Sequence, residues 1–526
     1  MTQPILLTDS QIQQFICDGY LILKPSVEAN IHKTIDDKFN WLAENEPNPG
    51  NNILARLPEL NTILTSPEVE GAMISLLGEN YITCTHCFWH TNQQQEPISE
   101  EKLWNRVKEG SHQDNYCPSS MGKSHQIQYI RFMYYSHDLD VKNGPTHVSP
   151  GTQYNSEVYE EDRENMIPVI GEAGTVFISH FEMIHGASRN ISNRVRNMIK
   201  FLFTRKNVQH KPNWNHQNSK WVTPSKIQSP YTLHACWENQ WNWLSGKKEL
   251  LSPKTNHFEV PAIELSEDKL NKFIKNIEGN PEAIEFLLSK LNTSSHSVRN
   301  NAIYALVQIG EPAISPVVNY IENLSLPANL DLRMPTNTIS FDDATQVLIS
   351  MGAPVLSHIS VLFKSTDEWV LLNTLHLLNV IGVGNQNICT QVKGLLNNES
   401  NNIVAWATTA LGSIGSKEQV EVLLDILSQQ YDRENHDSNV DDSSVLTWPA
   451  EWIIHFNASL GLVRLSNYAE TYEDRISSFL GHPFAQVDMM LCQCLRRIGT
   501  VSALEKVCDY LQPHMWDHSL KKGRNF

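Results

Sequence analysis

Apolar positions along the chain follow two rhythms. In the first half, helix-spaced stretches at 9–17 and 27–44 give way to short apolar runs broken by Gly, Pro, Asn and Asp: NYITCTHCFWH, IQYIRFMYYS, GTVFIS and VRNMIKFLFTR. Runs of that length between turn formers predict strands, and their succession predicts an antiparallel β sandwich or barrel with helices around it. The second half repeats one phrase: an apolar pair, two variable residues, an apolar residue, then Gly. It ends at Gly310, Gly352, Gly382, Gly415 and Gly499, with a degenerate copy ending at Ser466. The first four glycines are spaced by 42, 30 and 33 residues, and Ser466 precedes Gly499 by 33. Polar, Pro-containing inserts, LSLPANLDLRMPTNTIS and YDRENHDSNVDDSSVLTWP, fill the long gaps. Each unit reads as two amphipathic helices, the first ended by a Gly at positive φ. Units whose apolar faces only neighbours can cover predict an α-solenoid over about residues 265–526. The tract PKTNHFEVPA (253–262) separates the two textures, giving domains at 1–260 and 261–526.

Charge narrows the partners. With 41 Lys and Arg against 58 Asp and Glu, the net charge is −17. Such a surface repels phosphate backbones and anionic membranes, so a small-molecule substrate is expected rather than nucleic acid or membrane. Nine cysteines, an odd number without regular spacing, fit a reducing compartment. The N-terminus shows no basic stretch followed by an apolar core, and no apolar run reaches the roughly 18 residues of a membrane helix. A cytoplasmic location is therefore expected.

The chemistry sits in the first half. In an extended segment residues i and i+2 share a face, so His112 and Asp114 can present an imidazole and a carboxylate to one ion. His185, 73 residues beyond His112, would complete a 2-His-1-carboxylate triad, the set that leaves coordination positions open on non-haem iron. His-x-Asp/Glu alone is weak: about two occurrences are expected by chance, and three exist, at His112/Asp114, His180/Glu182 and His257/Glu259. Context strengthens the first. Arg194 and Arg196 follow His185 at i, i+2 spacing in RVRNMIKFLF, and a guanidinium on that strand can pair with the far carboxylate of a dicarboxylic co-substrate. VKNGPTHVSPGT carries an Asn-Gly turn and then Pro150-Gly151.

On these residues the N-terminal half resembles the phytanoyl-CoA dioxygenase family of Fe(II)- and 2-oxoglutarate-dependent oxygenases. The matching pieces are LTDSQIQQFICDGYLIL, HQD, HDLDVKNGPTHVSPGTQ and GEAGTVFISHFEMIHGASRNISNRVRN, in the family's order over about residues 7–206. The resemblance implies a double-stranded β-helix (jelly roll) with flanking helices. It also implies His112, Asp114 and His185 as iron ligands, and Arg196, with Arg194 as the alternative, for 2-oxoglutarate. O2 would be the oxidant, and the carboxylate of Asp114, which related halogenases lack, argues for hydroxylation rather than halogenation, with desaturation and ring formation left open. One departure is TQY (152–154), where the family more often has Ser-His after Pro-Gly. The second half resembles HEAT repeats, particularly the short type of phycobilin lyases, and is expected to pack on the catalytic domain or to mediate homo-oligomerisation. The rival readings are a non-catalytic HEAT scaffold and a bilin-lyase-like binding protein.

Other clusters read as structural. Cys84 and Cys87 lack the second pair of a zinc site and lie in a strand-like run, which favours buried cysteines. His180 and Glu182 fit a place beside the metal ligands. Five of thirteen tryptophans, Trp214, Trp221, Trp237, Trp241 and Trp243, suit packing between the halves.

Overall fold

The computed structural model describes residues 3–114, 119–247, 281–327, 330, 339–431 and 449–514; the tract 253–262 and the insert 432–445 lie outside them. The chain divides into two compact units. One holds the described residues of Met1–Asn115, Gly122–Leu324 and Ile339–Leu362, the other those of Tyr116–Met121, Ser325–Thr338 and Phe363–Phe526.

Among the described residues the first half forms eight strands, four of them from the apolar runs (β2, β3, β6 and β8): β1 (Tyr20–Leu23), β2 (Ile82–Asn92), β3 (Tyr129–Tyr134), β4 (Thr146–Val148), β5 (Ile167–Pro168), β6 (Val176–His180), β7 (His185–Ala187) and β8 (Arg196–Thr204). They build two antiparallel sheets, ordered β1-β6-β3-β8-β2 and β5-β4-β7. Residues opposite one another in an antiparallel ladder share a face. Met133 therefore lies with Phe177 and Lys200, and Met198 with His90. Tyr20, Met133, Phe177 and Met198 of the large sheet pack with Val148 of the small one, so the core lies between the sheets as in a jelly roll. The outer face of the large sheet is covered by helix Ala29–Asn45, where Phe39 stacks on Trp89 at 5.2 Å and His32 bonds to the Tyr134 hydroxyl.

The first helix, Asp9–Asp18, begins at a capping box between Thr8 and Gln11. Helix His234–Leu244 packs on it and also on helix His296–Ile309, all within the first unit. The predicted tryptophan cluster forms here: Trp241 meets Trp214 at 5.3 Å and Trp221 at 5.9 Å. Asp9 holds the approaching loop, accepting from Trp214 Nε1 and from the backbone N–H groups of Gln217 and Asn218.

Beyond residue 280 every described element is helical apart from isolated bridges. In the second unit the long helices Glu368–Ile381, Asn401–Ile414, Ala450–Arg464 and Ala485–Ile498 pack each on the next. Four of the five phrase-ending glycines take the expected positive φ: Gly310, Gly352, Gly382 and Gly499. Gly415 does not, at φ −77°. Space explains the glycine there: a Cβ would lie 2.3 Å from the Leu411 carbonyl oxygen. Gly412 and Gly461 are a second close approach, since a Cβ on Gly412 would sit 2.6 Å from the Gly461 Cα where two long helices cross. No helix among the described residues is long and apolar enough to cross a membrane.

Candidate metal centre

His112 and His185 are neighbours across an antiparallel bridge, each backbone N–H donating to the other's carbonyl at 2.9 Å. Their rings lie 4.6 Å apart between centroids. Each imidazole orients through Nδ1, which donates to the Gly110 carbonyl in His112 (3.0 Å) and to the Met183 carbonyl in His185 (3.2 Å). That tautomer leaves each Nε2 with an open lone pair, the form that binds a metal. Asp114 Oδ1 stands 3.6 Å from His112 Nε2 and 3.8 Å from His185 Nε2. The three donor atoms lie within 4.8 Å of one another, and the trio is the one such group among the described residues. Gln113 between them points away, donating to the Asn155 and Glu182 carbonyls and accepting from Lys123 Nζ, as the i, i+2 alternation requires.

The other oxygen of Asp114 is held by two cations absent from the sequence reading. Arg131 Nε donates to Oδ2 at 3.0 Å and Lys200 Nζ at 2.7 Å. Arg131 is buried in β3 and also donates to Ser179 Oγ and the Phe181 carbonyl. Burial alone would raise the Asp114 pKa, but Arg131 and Lys200, helped by the two histidines, hold it well below the carboxylate range. Burial, then Arg131, push His185 well below the ordinary imidazole value, so it stays neutral. A charged residue amid an apolar run was the available trace. Arg131 interrupts IQYIRFMYY, and Lys200 shares the strand face of Arg196, four residues earlier.

The two candidate arginines part company. Arg196 opens β8, is buried, and donates through Nε to the Gly144 carbonyl at 3.2 Å, while its Nη1 has no partner. Arg194 precedes the strand, so the expected shared face does not form; it pairs with Asp36 at 2.7 Å and is about one-third exposed. An orphaned guanidinium nitrogen in a buried site is suited to a carboxylate, and two imidazole lone pairs with one carboxylate oxygen suit a divalent metal. Iron(II) and 2-oxoglutarate thus both fit the residues present.

Three rings from β2, His86, Phe88 and His90, form a half-buried row on the Lys200 face, with successive centroids 6.4 and 4.8 Å apart. Burial and then Lys200 lower the His86 pKa to about 4 and that of His90 to about 3, so both are neutral at physiological pH. His180 and Glu182 pair with each other at 2.6 Å and stand outside the triad. Cys84 and Cys87 are buried, Cys84 within the register irregularity of β2 and Cys87 at its end.

Against known proteins, the search of curated sequences gives no match. Solved structures match part of the chain at low identity and low TM-score. EctD from S. alaskensis, solved with 2-oxoglutarate and 5-hydroxyectoine, is 15% identical over 44% of this chain and 88% of its own, with a TM-score of 0.30. The α-ketoglutarate-dependent carbocyclase SnoK from nogalamycin biosynthesis is 14% identical over 39% of this chain and 88% of its own, with a TM-score of 0.29. The family model of phytanoyl-CoA dioxygenase matches residues 15–198. That span carries the whole triad and Arg196, and residues 15–198 are similar to the phytanoyl-CoA dioxygenase family.

Proposed function

We propose that the protein hydroxylates a small organic molecule at the His112–Asp114–His185 centre. The observation that supports this reading most is the convergence of three donor atoms within 4.8 Å, with both imidazoles turned Nε2-inward by backbone carbonyls. Iron(II) held there, with 2-oxoglutarate and O2, supplies C–H oxidation coupled to decarboxylation of the keto acid to succinate.

The chain's own residues prepare the site. His112, His185 and Asp114 Oδ1 take one side of the ion and leave the remaining positions open. Arg131 and Lys200 occupy Asp114 Oδ2, so the carboxylate faces the ion with one oxygen. Arg196, desolvated and with Nη1 unspent, receives the far carboxylate of 2-oxoglutarate; Arg194, answered by Asp36, takes no part. The packed core between the sheets shields the interior of the site from bulk water, while His112, more than half exposed, marks the open side.

The helical half is read as a HEAT-like solenoid that packs on the catalytic domain or mediates homo-oligomerisation, in a cytoplasmic enzyme with domains at 1–260 and 261–526. The chemistry belongs to natural-product tailoring in this reading. The pairing of such a domain with helical repeats is similar to the tailoring hydroxylase of cylindrospermopsin biosynthesis, which makes C-7 of a cylindrospermopsin precursor a specific substrate to try.

Anaerobic addition of Fe(II) and 2-oxoglutarate tests the proposal. A weak visible metal-to-ligand band is expected in the wild-type chain and not in Asp114→Ala. No band in the wild type would favour the non-catalytic scaffold, and a covalent chromophore adduct the bilin-lyase-like reading.

A further inference from the structure

Cations outnumber anions in the space between the sheets. Arg131 and Arg196 are buried there and Lys200 is half-buried, and Asp114 is the one carboxylate beside them among the described residues. The groups set against Lys200 are Asp114, Arg131 from β3, and the β2 histidines His86 and His90, which are neutral. Three positive charges thus share this space with one negative charge. A divalent metal ion and dianionic 2-oxoglutarate cancel one another, so loading leaves the surplus in place. Buried charges are costly unless paired, and a site with such a surplus favours a negatively charged occupant.

The three cations differ in what they have left to give. Arg131 is spent on Asp114, Ser179 and Phe181, and Arg196 lies apart, bonded to the Gly144 carbonyl. Lys200 has three donors and, among the described residues, one acceptor, Asp114. It keeps 12% side-chain exposure and sits directly across the ladder from Phe88, in the middle of the His86–Phe88–His90 row.

We propose that Lys200 anchors an oxyanion on the primary substrate, a carboxylate, sulfonate or phosphate, and that the β2 ring row is the wall along which the rest of that substrate lies. The proposal rests on the oxygenase reading and names its substrate class: a small organic anion. Neutral imidazoles flanking Phe88 offer donors and a flat surface without adding charge, so Lys200 sets the preference for an anion.

Isothermal titration tests this with the full-length chain, first carrying Zn(II) and 2-oxoglutarate and then carrying neither. The probes are benzoate, benzenesulfonate, phenyl phosphate and neutral benzamide; the three anions show which oxyanion is preferred. At least one anion is expected to bind one per chain and more tightly than benzamide. Its affinity should fall about tenfold or more in Lys200→Met, the loss of one charge-assisted hydrogen bond, and return in Lys200→Arg. Benzamide binding as tightly as the anions, no anion binding, or unchanged affinity in Lys200→Met would each overturn the proposal. So would displacement of the anion, mole for mole, by 2-oxoglutarate, which would place it at Arg196. If the anion binds through Lys200 while the visible band fails to form, the oxygenase reading fails alone.

Discussion

Removing the Asp114 side chain should damage the fold as well as the metal site, and the size of that damage follows from its partners. At an effective dielectric of 20, two unit charges 2.7 Å apart, the Lys200–Asp114 separation, attract by about 6 kcal/mol before desolvation is counted. Arg131 makes a second contact at the same distance. Desolvation offsets most of this in the intact pair, but deleting one partner of a buried pair leaves an uncompensated charge and costs about 3–5 kcal/mol. Lys200 can turn partly toward water; Arg131, 1% exposed and fixed by Ser179 and Phe181, cannot. Asp114→Ala is therefore expected to lower the stability of the metal-free protein by about 3 kcal/mol or more. His112→Ala, which removes a ligand whose side chain is 56% exposed, should cost less than about 1 kcal/mol. Both should abolish metal binding. Urea unfolding at pH 7, followed by tryptophan fluorescence, measures the difference, and Arg131→Met placed on Asp114→Ala should recover part of the loss. Equal stability of the two single variants, or no recovery in the double, would refute the assignment of Arg131 and Asp114 as a coupled buried pair.

Acid should weaken the protein through three buried histidines, a loss that Asp343, whose carboxyl burial raises to about 7, offsets in part. Burial lowers the pKa of His86 to about 4 and those of His90 and His125 to about 3, so the unfolded chain takes up protons below its ordinary value near 6.5 while the folded chain does not. Stability is full above pH 6.5 and falls below it, by up to about 4 kcal/mol per pH unit for three such groups; urea midpoints between pH 7.5 and 5 check this, and His125→Gln should flatten the slope by about a third. The Asp114 contribution runs lower, present above about pH 3.8 and lost only as pH falls toward its depressed folded value. Arg196→Ala should raise the 2-oxoglutarate concentration needed for half-maximal turnover about tenfold or more, and Arg194→Ala less than about threefold; succinate release measures both. Gly412→Ala should destabilise the helical unit by about 1–3 kcal/mol, because the new methyl meets Gly461 backbone; thermal unfolding by circular dichroism reads the shift.

Local physics made much of this legible. Short apolar runs between turn formers became β2, β3, β6 and β8, and helices 9–17 and 27–44 appeared within two residues of their expected ends. The triad could be read because His112 and Asp114 obey strand alternation and because their surroundings resemble a family. Arg131 and Lys200 were missed for a physical reason. A lone cation in an apolar strand looks like an edge or surface residue until the register brings it opposite a carboxylate 17 or 86 positions away. Gly415 shows the reverse error: the phrase demanded glycine, but a close carbonyl rather than a left-handed turn is what requires it. That Arg194 and Arg196 share no strand face could not be read from spacing, which does not show that the strand begins between them.

Helix His296–Ile309 and helix Asp343–Met351 reach deep into the oxygenase unit. Tyr304 bonds His125, Arg299 reaches Ser156, and Gln346 bonds Gln126, across 143 to 220 residues of sequence. A chimera that joined these sheets to foreign repeats ahead of residue 296 would strip the partners from His125, Ser156 and Gln126 together. Its first symptom should be faster amide exchange at 124–126 and 155–157, beside the loop that Gln113 grips, so any transplant of the catalytic half has to carry residues 296–351 with it.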